Sequence, residues 1–108
     1  MGYTIREYLS ESGQSPYRAW LSSLDEIIRA RIQARVLRFE HGNLGDYKQV
    51  GEGVYEARLM FGPGCRLYFS IHKRQVILLL CEGDKKSQSK DIRKAIAYWN
   101  DYVKQEVA

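Results

Sequence analysis

Ionic and hydrogen-bonding side chains fall at alternate positions along two short runs of this chain: Glu56 and Arg58 in residues 54–61, and Arg66, Tyr68 and His72 in residues 65–72. Alternation is the mark of a strand, because successive side chains point to opposite faces. Tyr55, Ala57, Leu59 and Phe61 then share the apolar face of the first strand, and Cys65, Leu67, Phe69 and Ile71 that of the second. The opposite face gathers the ionic groups. Arginine presents a planar fork of donors matched to phosphate or carboxylate, and tyrosine adds a hydroxyl, so this surface is suited to an anion. With Phe61 facing Cys65 across Gly62-Pro63-Gly64, Arg58 faces Tyr68 and lies diagonal to Arg66. The segment from Cys81 to Gln88 brings further donors, Lys85 and Lys86, to a strand end just ahead of a helix. In a meander that end returns beside Arg66 and Tyr68.

The elements that must position these groups are readable from pattern. Residues 3–9 alternate as a first strand, with Tyr3, Ile5 and Leu9 on one face. Ser15-Pro16 is a helix start, with Tyr17, Trp20, Leu21 and Leu24 as the buried side. Ser23-Leu24-Asp25-Glu26 matches a capping box for a second helix. Its apolar stripe is Leu24, Ile28, Ile32, Val36 and Phe39, and His41-Gly42-Asn43 ends it. Arg31, Arg35 and Arg38 fall on a different side and read as a solvated face. The glycine-rich residues 43–53 include a short strand around 47–50. Residues 76–81 form an unbroken apolar run, the pattern of a strand covered on both sides and central in its sheet. The last helix runs from residue 87 or 89 to 103, with Ile92, Ala95, Ile96, Trp99 and Val103 inward. The predicted order is β-α-α-(β)-β-β-β-α, an α+β domain with its helices on one face of a mainly antiparallel sheet.

The 108 residues suit one domain, 1–108, with the apolar and charged content of an ordinary globular protein. No run approaches the ~20 apolar residues of a membrane helix, and no secretory signal is evident, so a cytoplasmic chain without a membrane partner is expected. Cys65 and Cys81 sit in apolar runs and read as small buried hydrophobes. The net charge is +4. From Ala57 to Cys81 there is no Asp or Glu, while Arg58, Arg66, Lys73 and Arg74 fall there; Lys85, Lys86, Lys90, Arg93 and Lys94 follow. Such local excess favours an acidic partner. There is no Gly-Lys-Ser/Thr phosphate loop and no Gly-x-Ser-x-Gly elbow. The histidines, His41 and His72, have no neighbouring spacing that suggests zinc.

Residues 53–58, Gly-Val-Tyr-Glu-Ala-Arg, and 61–69, Phe-Gly-Pro-Gly-Cys-Arg-Leu-Tyr-Phe, resemble the RelE/ParE superfamily of bacterial toxins, and more closely its HigB-type addiction module killer branch. The resemblance continues through Val76 to Leu80, Gly83-Asp84-Lys85-Lys86-Ser87-Gln88, Asp91-Ile92 and Ala95. It implies a RelE-like fold and a type II toxin, free of metal and small-molecule cofactor, that is neutralised by a cognate antitoxin. Members of the superfamily either cleave messenger RNA on the ribosome or inhibit DNA gyrase without catalysis. For an RNA-cleaving member, Arg66 and Arg58 are expected to stabilise the charge on phosphorus, and Tyr68 to orient the phosphate or stack on a base. Lys85 or Lys86 is expected as general base or acid, and Lys73, Arg74 and Lys90 as further RNA contacts. Related killers carry His and an aromatic residue before the paired lysines, where this chain has Cys81 and Gly83. The alternatives to an endoribonuclease are a gyrase inhibitor and a basic binding module without toxicity.

Overall fold

The boundaries of the first two helices rest on specific backbone contacts. In the computed structural model, which describes residues 2–59, 64–82 and 85–107, Ser15 caps helix α1 (Pro16–Ser22) by accepting the amide of Arg18 at 3.0 Å, with Pro16 in the first turn. Helix α2 (Glu26–Glu40) is capped by Asp25, whose carboxylate accepts the amide of Ile28 at 2.9 Å. This corrects the capping box expected at Ser23. That residue closes α1, its amide donating to the carbonyls of Leu21 and Trp20, and so cannot also open α2. The end of α2 is a two-bond reversal in which Gly42 donates to Phe39 and Asn43 to Arg38, both at 2.9 Å.

The strands are β1 (Thr4–Glu7), β2 (Tyr47–Gly51), β3 (Val54–Arg58), β4 (Arg66–His72) and β5 (Gln75–Glu82). A single 3-10 turn, Lys85–Ser87, leads into helix α3 (Gln88–Val107). The sheet order is β1-β5-β4-β3-β2, antiparallel throughout except for the parallel β1–β5 pair. The predicted order of elements holds, and the apolar run 76–81 is an interior strand, flanked by β1 and β4.

Two corrections concern what positions the site. The helices do not share one face. Ala57, Leu67, Phe69, Val76, Leu78 and Cys81 pack with Tyr17 and Leu21 of α1 and Ile32 and Phe39 of α2. Val54, Tyr68, Ile77, Leu79 and Leu80 pack instead with Ala95 and Tyr102 of α3. β3, β4 and β5 therefore send side chains into both cores, and burial of each large apolar side chain contributes about 1.5–3 kcal/mol. The β3–β4 register also differs from expectation. Arg58 pairs with Arg66, and Glu56 with Tyr68. Leu59 donates to the carbonyl of Cys65, so the connection is longer than three residues. The predicted Gly62-Pro63 turn and Phe61 lie outside the described residues.

The β2–β3 turn brings Gly53 against α3. Its φ is +86°, and a Cβ there would approach the Trp99 indole nitrogen to 2.7 Å. Its carbonyl accepts the Ser70 hydroxyl at 2.6 Å. Gly53→Ala combines left-handed strain with overpacking, and should lower stability by about 1–3 kcal/mol. Thermal unfolding followed by circular dichroism should show a midpoint lower by roughly 5 °C or more.

Candidate functional site

The ionic residues of β3 and β4 lie on the face that α3 covers, and this decides their exposure. Two cross-strand rows form at one end of the sheet. One runs Lys48, Glu56, Tyr68, Leu80, and the next runs Arg58, Arg66, Glu82. The first turn of α3 reaches the first row through Gln88 and Glu56. Glu56 is 2% exposed and Arg66 8%. The Glu56 Oε1 lies 3.8 Å from the Arg66 Nε and 4.0 Å from the Lys48 Nζ, while Oε2 accepts the Gln88 amide nitrogen at 2.8 Å. An Arg66 Nη donates to the Gly64 carbonyl at 3.3 Å. Asp91, also buried, accepts the Ser87 hydroxyl at 2.7 Å in the first turn of α3, where the helix dipole favours a carboxylate.

The candidate residues separate accordingly. Arg58 is exposed and stands directly across the ladder from Arg66. A shallow pocket of about 40 Å³, lined by Asp46, Tyr47, Lys48, Glu56 and Arg58, opens beside it. Lys86 is exposed on the 3-10 turn at the same end, and Lys90 is exposed in the first turn of α3, close enough to act on the charge of Glu82. The Lys85 backbone belongs to the 3-10 turn, but its side chain lies outside the described residues. Lys73 and Arg74 form the β4–β5 turn at the opposite end of β4. The length of that strand puts them roughly 20 Å from Arg66.

Tyr68 is fully buried beneath this cluster, which corrects the expectation that it stacks on a base. Among the described residues its hydroxyl has no hydrogen-bond partner. Burial, then the neighbouring Glu56 and Asp91 carboxylates, push its ionisation well above the usual tyrosine range. Tyr68 forms the floor of the site.

Sequence reasoning missed three supports. Gln88 and Asp91 sit three residues apart at the start of α3, a spacing that places both on one helix side. Arg35, read as part of a solvated face, instead ties α2 to the site. Its guanidinium donates to the carbonyls of Arg58 and Leu44 at 3.3 Å each and of Asp46 at 2.9 Å. Nothing in the helical period of α2 distinguishes it from Arg31 or Arg38.

The Tyr68 environment has a stability consequence. A tyrosine ionises near pH 10 in the unfolded chain, and here the folded state retains the proton to higher pH. The contribution to stability is therefore complete below pH 10 and lost as pH rises through the folded value. Tyr17, which burial pushes up to about 12, acts in the same direction. Tyr68→Phe should leave stability at neutral pH within about 1 kcal/mol, since it removes a hydroxyl that gains no hydrogen bond. It should also flatten the fall in stability between roughly pH 9 and 11. Urea unfolding across that range measures both.

Compared with known proteins, the chain is 41% identical over 80 residues to an uncharacterized protein of Haemophilus influenzae, an alignment covering 73% of this chain and 81% of that one. No family model matches the chain. No solved structure matches it either. At this identity and coverage, the chain belongs to the same family as the uncharacterized Haemophilus influenzae protein.

Proposed function

We propose that this chain is a RelE/ParE-like toxin of a type II toxin–antitoxin system, acting as a metal-independent endoribonuclease on translated messenger RNA. The observation that carries the reading is the direct opposition of Arg58 and Arg66 on one covered face, at the sheet end where the Lys85–Ser87 turn begins. Like charges directly opposite on a ladder repel, and Glu56 and Glu82, both beside Arg66, offset that repulsion only from its side. A bound phosphodiester relieves that repulsion. The sequence resemblance described above supports the same reading.

RNA carries its own nucleophile, the 2′-hydroxyl, so the protein needs only to position it, move protons and stabilise charge. On this reading the exposed Arg58 and the accessible edge of Arg66 grip the scissile phosphate and stabilise the additional negative charge of the transition state. Lys86 or Lys85 transfers protons, as the cations that the 3-10 turn brings to this end of the sheet. Lys90 extends the cationic rim, and Lys73 and Arg74 meet the nucleic acid farther along its length. Tyr68 does not touch the RNA and supports Arg66 from below. The ribosome brings the substrate, and a cognate antitoxin, as an acidic or amphipathic segment, masks Arg58 and Arg66 through contacts that weaken with salt.

Controlled induction, with labelled amino-acid and nucleotide incorporation followed in parallel, tests the proposal. Protein synthesis should stop first while DNA synthesis continues, and Arg66→Ala should cut RNA cleavage by on the order of 10²–10³-fold without unfolding the chain. Early arrest of DNA synthesis with translation intact would instead indicate gyrase. A folded Arg66→Ala protein of undiminished toxicity would remove the mechanism.

A further inference from the structure

We infer that Glu56 is a positioning residue, which sets the orientation of the Arg66 guanidinium through its charge and is itself held by Gln88. The inference deepens the proposed function and rests on it for its consequence in catalysis, but its geometric part stands alone.

Three observations carry it. First, Glu56 is buried to 2% exposure, so its carboxylate has lost water and must find its compensation inside the protein. Second, its two oxygens are divided. Oε2 takes the Gln88 side chain at 2.8 Å from the first residue of α3, which leaves Oε1 turned to the Arg66 Nε at 3.8 Å and to the Lys48 Nζ at 4.0 Å. Third, the guanidinium is held by one hydrogen bond and one charge: an Nη donates to the Gly64 carbonyl, while the buried Nε, without a hydrogen-bond partner among the described residues, faces the Glu56 carboxylate at 3.8 Å. Of the five N–H groups of an arginine, this arrangement directs the Nε–H and one Nη–H inward. The remaining edge is the one that can meet an anion.

Stability alone does not account for such a pair. Replacing a buried ion pair by apolar side chains of similar size is often neutral or stabilising. What the pair does provide is one fixed direction for a long side chain that otherwise has several rotamers. A displacement of about 1 Å in a catalytic group can cost on the order of 10²-fold in rate. The chain from Gln88 to Glu56 to Arg66 thereby makes the start of α3 part of the site's geometry.

Glu56→Gln tests this, since it preserves size and an acceptor for Gln88 while removing the charge. The Arg66 Nε–H resonance, assigned with Arg66→Ala and followed by ¹⁵N NMR, should shift and exchange faster with water in Glu56→Gln. In a reconstituted translation reaction kcat should fall by roughly 10–10²-fold, with KM within about twofold and the thermal midpoint nearly unchanged. An unaltered Arg66 resonance overturns the inference, as does wild-type kcat in Glu56→Gln when Arg66→Ala is inactive. If Arg66→Ala also cleaves normally, the proposed function fails instead, and the Arg66 resonance still decides the positioning. Should Glu56→Gln not fold, Glu56→Asp takes its place under the same two readouts, keeping the charge but shortening its reach by one methylene.

Discussion

Both faces of the sheet are covered, and the placement of every ionic group in β3 and β4 follows from that. A strand exposed on one side can turn its charges to water. Here the side chains that avoid the α1–α2 core enter the α3 core instead, with Val54, Tyr68, Ile77 and Leu79 as its apolar members. Glu56 and Arg66 stand in the same layer, and neither can keep a hydration shell at 2% and 8% exposure. They are therefore obliged to face each other, and the start of α3 supplies Gln88 to complete the carboxylate. Arg58, one position beyond the shelter of the helix, remains exposed.

The electrostatics of the sheet end follow from this packing. Glu56 is shared between Lys48 and Arg66 and has no further oxygen for Arg58, since its other one is taken by Gln88. Arg58 therefore keeps an unneutralised charge at the edge that solvent reaches, while Arg66 lies between Glu56 and Glu82. Arg35 stiffens that edge from the opposite side of the sheet by binding the carbonyl of Arg58 itself, along with those of Leu44 and Asp46. Backbone immobility at Arg58 and side-chain immobility at Arg66 thus come from different helices, α2 and α3.

The legibility of the sequence varied with the range of the determining contact. Ser15-Pro16 and His41-Gly42-Asn43 were readable because capping acts within a few residues. The unbroken run from Val76 to Cys81 carried the true signal of two-sided cover, yet that signal alone does not say which helices provide it. Asp25 was missed because Ser23 offers an equally good local cap, and only the end of α1 assigns Ser23 elsewhere. The β3–β4 register depended on the length of the connecting turn, and a change of two residues keeps every side chain on its face while altering each partner. Arg58 therefore met Arg66 rather than Tyr68. Tyr68 looked like a surface group because alternation separates the faces without revealing that α3 lies over one of them.

The same burial narrows what can bind. With Tyr68 closed off, the aromatic surface at the described part of the site is the exposed ring of Tyr47 at the pocket rim, and Arg66 presents only an edge. A ligand gripped there has to bring a small group dense in negative charge to the sheet end, where Arg58 is open and a pocket of only about 40 Å³ lies alongside. A phosphodiester meets that description better than a planar ring, and it recurs at every nucleotide. Recognition through such a contact is insensitive to base identity. On the proposed reading, any preference for sequence has to be imposed by what holds the RNA outside this pocket, which fits a substrate already threaded through a ribosome better than one met free in solution.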